Sequence, residues 1–137
     1  MADASGVRAL RTVVFVVGLG EFLTSILLLF FPETYKEIFG LAPDFNSYYI
    51  QQIGMFQFLV GSAILIGSRQ AENPAVNRFA VYFNVISAIF WVYYLFSYPG
   101  GHQLFHTIVI GFLVYHVTMT AILLAVIRKA ALSTAPA

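Results

Sequence analysis

The chain has 137 residues, 60% hydrophobic and only 9% charged, with a formal net charge of +1. A soluble domain carries about 25% charged residues, so this chain cannot cover its own surface for water, and its near-zero charge argues against a nucleic-acid partner, which needs a basic face. The absence of cysteine excludes disulfides, thiolate chemistry and cysteine metal sites.

A helix that crosses a bilayer needs roughly 20 apolar residues. The first such run is Leu10–Phe31. It exceeds the roughly 7–15 residues of a signal h-region. It ends at Phe31-Pro32-Glu33 with no small-x-small pattern, so it is expected to be a retained span. Pro32 and Pro43 bracket the loop that follows. Within it, Glu33–Phe39 reads either as an ordinary loop or as a short interfacial helix with Tyr35 and Phe39 in the headgroups. The second span is Tyr48–Gly67, followed by the Arg69–Asn77 connection with Pro74. The third, Val76–Ser97, runs into Tyr98-Pro99-Gly100-Gly101-His102, which reads as a tight turn. The fourth is Leu104–Ile127. The expected fold is all-α: one four-helix transmembrane domain over 1–137.

Arg8, Arg11, Arg69, Arg78, Arg128 and Lys129 fall on one side of these spans and only Lys36 on the other. Six against one predicts that both termini are cytoplasmic.

Lipid tails are as apolar as Leu, so small and polar residues choose the inward faces. Positions seven apart lie on nearly one helical line. Arg11, Gly18, Ser25 and Pro32 share such a line, with Glu21 beside it. Ser47, Gly54, Gly61 and Ser68 form another, flanked by Gln51 and Gln57. Asn77, Asn84, Trp91 and Tyr98 form a third, with Ala80, Ser87 and Tyr94 alongside. His102, His106 and His116 share one side of the last span, and Thr120 follows His116 by a turn. Each such polar group alone is ordinary helix glue. Glu21, Gln57, Ser87 and His116, however, all fall near mid-span, with Asn84 slightly toward the cytoplasm. This predicts a shared polar layer.

Glu21 is the only carboxylate within a span. An acid there costs on the order of 3 kcal/mol on insertion scales and is a functional candidate by default. In low dielectric it is expected to be neutral unless it meets a cation. His116 is its natural partner, and a carboxyl–imidazole pair can act as general acid and base. Glu21 and His116 are therefore the candidate catalytic residues; the alternative is a clasp in which Glu21 hydrogen-bonds to Gln57 or Asn84. Candidate ligand-binding residues are Gln51, Gln57, Asn84, Trp91, Tyr94 and His106. Trp91 and Tyr94 would line an outward-facing pocket whose floor is the Glu21 layer; the alternative is aromatics that pack or face lipid. Tyr48, Tyr49, Tyr93, Tyr94 and Tyr98 fall where an aromatic belt belongs.

His102 and His106 have a metal-binding spacing but lack the intervening Glu of the zinc-protease motif. No other helix supplies a third His, so no metal is expected. There is no phosphate loop and no dinucleotide fingerprint, so no cofactor is expected either. Ser–His–Asp chemistry lacks a buried Asp, because Asp3 and Asp44 fall outside the spans.

Arg11 before the first span, Gly18 within it, the exit Leu29-Phe30-Phe31-Pro32-Glu33, Phe39-Gly40-Leu41, Gly54, Gly61 and Arg69 together resemble the small four-helix membrane proteins grouped as DoxX-like. The resemblance covers most of the chain in topology and these few positions in sequence. It implies the four-span bundle; the grouping implies no single activity and brings no catalytic motif.

Three functions fit these residues. One is an accessory or self-associating subunit, or an apolar-ligand-binding bundle, whose partners are the bilayer, another membrane subunit or a lipophilic small molecule. The second is a small enzyme doing acid–base chemistry, such as isomerisation or cyclisation, on a lipophilic substrate. The third is proton or small-solute transport through the polar layer.

Overall fold

The computed structural model describes residues 4–41, 45–97 and 103–134. Its elements in chain order are α1 (Ala4–Phe30), α2 (Pro32–Phe39), α3 (Ser47–Gly67), a 3-10 turn (Ser68–Gln70), α4 (Pro74–Ser97) and α5 (Gln103–Thr134). The four long helices, α1, α3, α4 and α5, are long and apolar enough to cross a membrane. They cover the four expected spans, except that α1 ends at Phe30, one residue short of the first; α1 begins earlier and α5 runs further than the apolar runs alone suggest. Pro43 and the Tyr98–His102 turn lie outside the described residues.

The helix ends follow from local chemistry. Phe31 precedes a proline, whose ring disfavours helical geometry in the residue before it. Its φ of −131° and ψ of 50° break the chain direction between α1 and α2. Pro32 then starts α2, where its missing N–H costs nothing. Gly40, with φ of 60°, closes α2 in the left-handed conformation that lets the chain reverse. The Asn46 side chain accepts from the Tyr48 N–H and caps α3. Asn73 does the same for α4 through the Ala75 N–H.

α1 and α3 form the tightest pair. A Cβ built on Gly61 would lie 2.7 Å from the Phe22 backbone nitrogen, and one on Gly18 would lie 2.7 Å from that of Leu65. Only glycine lets the two backbones come this close, as the small-residue line of the second span predicts. α4 pairs with α5, and the two pairs join through α1 and α5. α3 and α4 barely meet, so the bundle is splayed along that side.

The interior is layered along the helix axes. Toward the end where α1 begins, Leu10, Val14, Val17, Val60, Ile64, Ala80 and Leu123 form a dry apolar core. In the middle sit buried Glu21, Ser25, Asn84 and His116. Toward the other end the core turns aromatic, with Phe39, Trp91, Tyr94 and Phe112 around Val109. The outside carries large apolar side chains, such as Phe30, Ile66 and Phe96, facing outward. That reversal of the usual soluble pattern suits a lipid surround.

α2 corrects one expectation. The segment is a helix, but Tyr35 and Phe39 turn into the bundle instead of toward headgroups. Phe39 is buried and stacks near both Trp91 and Phe112. Burial pushes the Tyr35 phenol well above its ordinary range, with nearby Tyr94 adding to it. α2 is pinned there by the buried Lys36, whose Nζ donates to the Phe45 carbonyl at 3.1 Å and pairs with Glu33 at 2.8 Å. Glu33 also accepts from the Ser47 hydroxyl at the start of α3.

Candidate functional site

Each long helix delivers polar groups to the middle layer. α1 presents Glu21, one position from the α1–α3 seam, because Gly61 of α3 packs against the Glu21–Phe22 backbone. α3 presents Gln57, four residues before that glycine and so on the same side of the helix. Gln57 Nε2 donates to Glu21 Oε2 at 2.6 Å. α4 presents Asn84, fully buried, and α5 presents His116, 3% exposed.

Asn84 decides the state of the imidazole. Its Nδ2 donates to the Ala80 carbonyl at 2.9 Å, one turn back on α4. That leaves Oδ1, which can only accept, facing His116 Nδ1 at 3.1 Å. The hydrogen therefore sits on Nδ1, and the neutral ring keeps its lone pair on Nε2. Glu21 Oε1 stands 3.8 Å from the same Nδ1, beyond hydrogen-bond distance. The structure thus joins the two candidate catalytic residues as neighbours in two clasped pairs, Glu21–Gln57 and His116–Asn84, with one carboxyl oxygen left uncommitted by Gln57.

Glu21, Gln57 and His116 border open space, while Asn84 does not. A cavity of about 460 Å³ lies between α3 and α4 and reaches Glu21, Gln57 and His116 at its inner end. Ser87, Trp91 and Tyr94 of α4 line it, and Tyr35 and Phe39 of α2 close its far end. Its sides include Ile53, Phe56, Ile86 and Phe90, whose side chains are also exposed on the outer surface. The opening is therefore lateral, at the depth of the apolar belt, where α3 and α4 part. A second cavity of about 390 Å³ lies between α1 and α5, bounded by Gly20, Gly111 and Tyr115. The two share Glu21, Thr24, Gln57, Trp91, Phe112 and His116 as walls, so the polar layer sits between them.

Three expected ligand-binding residues border neither cavity: Gln51, Asn84 and His106, with Asn84 fully buried behind the walls and held by Ala80 and His116. Gln51 is exposed and donates to the Leu29 carbonyl at 3.2 Å, bracing α3 on α1. Gln52, its neighbour, lines the larger cavity instead, because one residue along a helix turns the side chain by about 100°. His106 is half-buried and borders neither cavity, and His102 lies outside the described residues. Among the described residues no cluster of three or more His, Cys, Asp or Glu could hold a metal ion. Sequence reasoning missed Phe112, Tyr115, Thr24, Tyr35 and Phe39 as cavity walls. For Phe112 the signal was present: it precedes His116 by one helical turn and shares its face.

No family model, curated protein or solved structure matches this chain.

Proposed function

We propose that this chain is a multi-pass membrane protein with both termini cytoplasmic, and that it binds a lipophilic molecule entering sideways from the bilayer between α3 and α4. The molecule's polar group meets Glu21, Gln57 and His116, and its apolar body lies against the aromatic walls. One observation carries this reading: the single intramembrane carboxylate lies at the inner end of a laterally open cavity of about 460 Å³. That volume falls within the usual ~300–1,000 Å³ of small-molecule sites, and an apolar lining with a few convergent polar groups is their usual chemistry. A closed, fully hydrogen-bonded layer would have served an accessory subunit better. The test is extraction of purified protein followed by mass spectrometry of bound small molecules. Ser87→Phe fills the cavity from α4, so it should recover markedly less of whatever apolar species the wild type carries. Equal recovery from both proteins removes the reading.

A second reading, acid–base catalysis on that lipophile, is favoured by the fixed tautomer of His116. Its Nε2 is the basic nitrogen, and Glu21 is the nearby acid. Glu21→Gln keeps the hydrogen bond with Gln57 and loses proton transfer. Membranes expressing the wild type should show a shifted ratio of two isomeric lipophiles that membranes expressing the variant lack; identical ratios end this reading.

A further inference from the structure

The charge around the two cavities is one-sided. Glu21 lies on the walls of both, and no Lys or Arg does. Gln57 engages Oε2 of that carboxyl, while Oε1 lies 3.8 Å from the His116 nitrogen, too far for a hydrogen bond. An anionic headgroup placed here would meet the Glu21 carboxyl with no Lys or Arg beside it, and the one basic group on the walls, His116, already turns its Nδ1 toward Asn84. The remaining walls are mostly rings. Trp91 and Phe112 stack with centroids 4.9 Å apart, Phe39 stacks 6.0 Å from Phe112, and Tyr94 and Phe90 lie 5.2 Å apart beside Trp91. Aromatic faces carry the negative part of the ring quadrupole and attract a cation within about 6 Å. A buried acid with one uncommitted oxygen, sharing cavity walls with such rings, is the chemistry that holds a positively charged nitrogen.

Resting on the lipophile-binding reading above, we propose that the ligand is a lipophilic amine, a molecule with an apolar chain or ring system and a protonated nitrogen. The nitrogen sits at Glu21 Oε1 against the Trp91–Phe112 pair. The apolar body extends between α3 and α4 toward the lateral opening. Its entry needs no broken helix, because the gap between α3 and α4 already lies at bilayer depth.

The chain supplies its own reporter, since Trp91 is its single tryptophan and borders both cavities. The full chain in lipid nanodiscs is titrated with three probes of matched length, each brominated at mid-chain: a primary amine, an alcohol and a carboxylic acid. Bromine quenches tryptophan on contact. The amine is expected to quench saturably at roughly tenfold lower concentration than the alcohol, displaced by the unbrominated amine. The carboxylate should give only the linear quenching of partition into lipid. Glu21→Gln should bring amine and alcohol to the same midpoint. Phe112→Leu, which keeps every charged and polar group, should weaken the amine more than the alcohol and so serves if the Glu21 variant does not fold. Equal midpoints for amine and alcohol in the wild type, or a tighter carboxylate, overturn the amine proposal while leaving lipophile binding standing. Saturation by none of the three overturns both.

Discussion

Asn84 and His116 make a buried side-chain pair that links α4 to α5 in the polar layer. In lipid such a bond has no water to replace it, yet interhelical bonds of this kind average about 0.6 kcal/mol and reach about 1.7 kcal/mol. Asn84 has a second duty, to the Ala80 carbonyl, which fixes the direction of its amide and therefore the tautomer of the imidazole. A double-mutant cycle of Asn84→Leu and His116→Phe, read by reversible detergent unfolding, should give a coupling of about 1 kcal/mol. A coupling near zero would mean that the amide does not hold the ring. Glu21 differs in kind. Gln57 engages one of its oxygens, so the cost of burying a carboxyl among apolar helices is only partly offset within the chain.

At the level of elements, the site exists because α1 and α3 touch and α3 and α4 do not. The close α1–α3 approach depends on glycines, and the structure separates two that look alike in sequence. Gly61→Ala places a methyl 2.7 Å from the Phe22 nitrogen, so the backbones must part. Overpacking of this sort costs about 1–3 kcal/mol. Gly111→Ala, on α5, meets nothing within 4 Å. Because glycine weakens a helix interior by about 0.5–1 kcal/mol relative to alanine, that change should be neutral or mildly stabilising. The detergent-unfolding midpoint of the Gly61 variant should fall while that of the Gly111 variant holds or rises; a fall in both, or in neither, would refute the packing argument. α2 is the other deciding element. Its Pro32 start and Gly40 stop are local features, but its inward turn depends on Lys36 reaching the Phe45 carbonyl and on Phe39 finding Trp91 and Phe112.

For the whole molecule, two features outside the spans bear on how the bundle sits and holds. Arg11 clasps Glu72 through two hydrogen bonds, Nη2 to Oε1 at 2.7 Å and Nε to Oε2 at 3.2 Å, tying α1 to the α3–α4 connection. The Arg11 guanidinium holds the Glu72 carboxyl below the ordinary carboxylate range. A lowered carboxyl stabilises the fold above its unfolded value, and that contribution disappears as pH falls through the folded value. Wild type should therefore lose stability between pH 7 and about pH 3 by more than Glu72→Gln does, and less so in high salt, since the pair is exposed. Parallel losses in the two proteins would show that the clasp contributes nothing. The orientation proposed from the Arg and Lys distribution has a direct test, because the chain has no cysteine of its own. A Ser5→Cys variant should react with an impermeant thiol reagent only from the cytoplasmic side, and Glu37→Cys only from the opposite side. The reverse pattern would invert the topology.

The four long apolar helices were legible in the sequence because length and hydropathy are properties of each helix taken alone: about 20 apolar residues between Pro, Gly and charged punctuation suffice. The polar layer was legible too, since Glu21, Gln57, Ser87 and His116 share one depth, with Asn84 close to it, and a helix has a fixed rise. Which partner each residue takes was not. Sequence leaves Glu21 a choice between His116 and a clasp with Gln57 or Asn84, and tertiary packing gives Glu21 to Gln57 and His116 to Asn84. The difference is one of lateral position: depth is set along each helix, but neighbourhood is set by which helices touch. For the same reason Gln51, Asn84 and His106 do not line the cavities while Gln52, Phe112 and Tyr115 do. Only the tertiary structure decided that the layer borders open space, because a cavity is made by two helices that fail to meet, and no single helix encodes that.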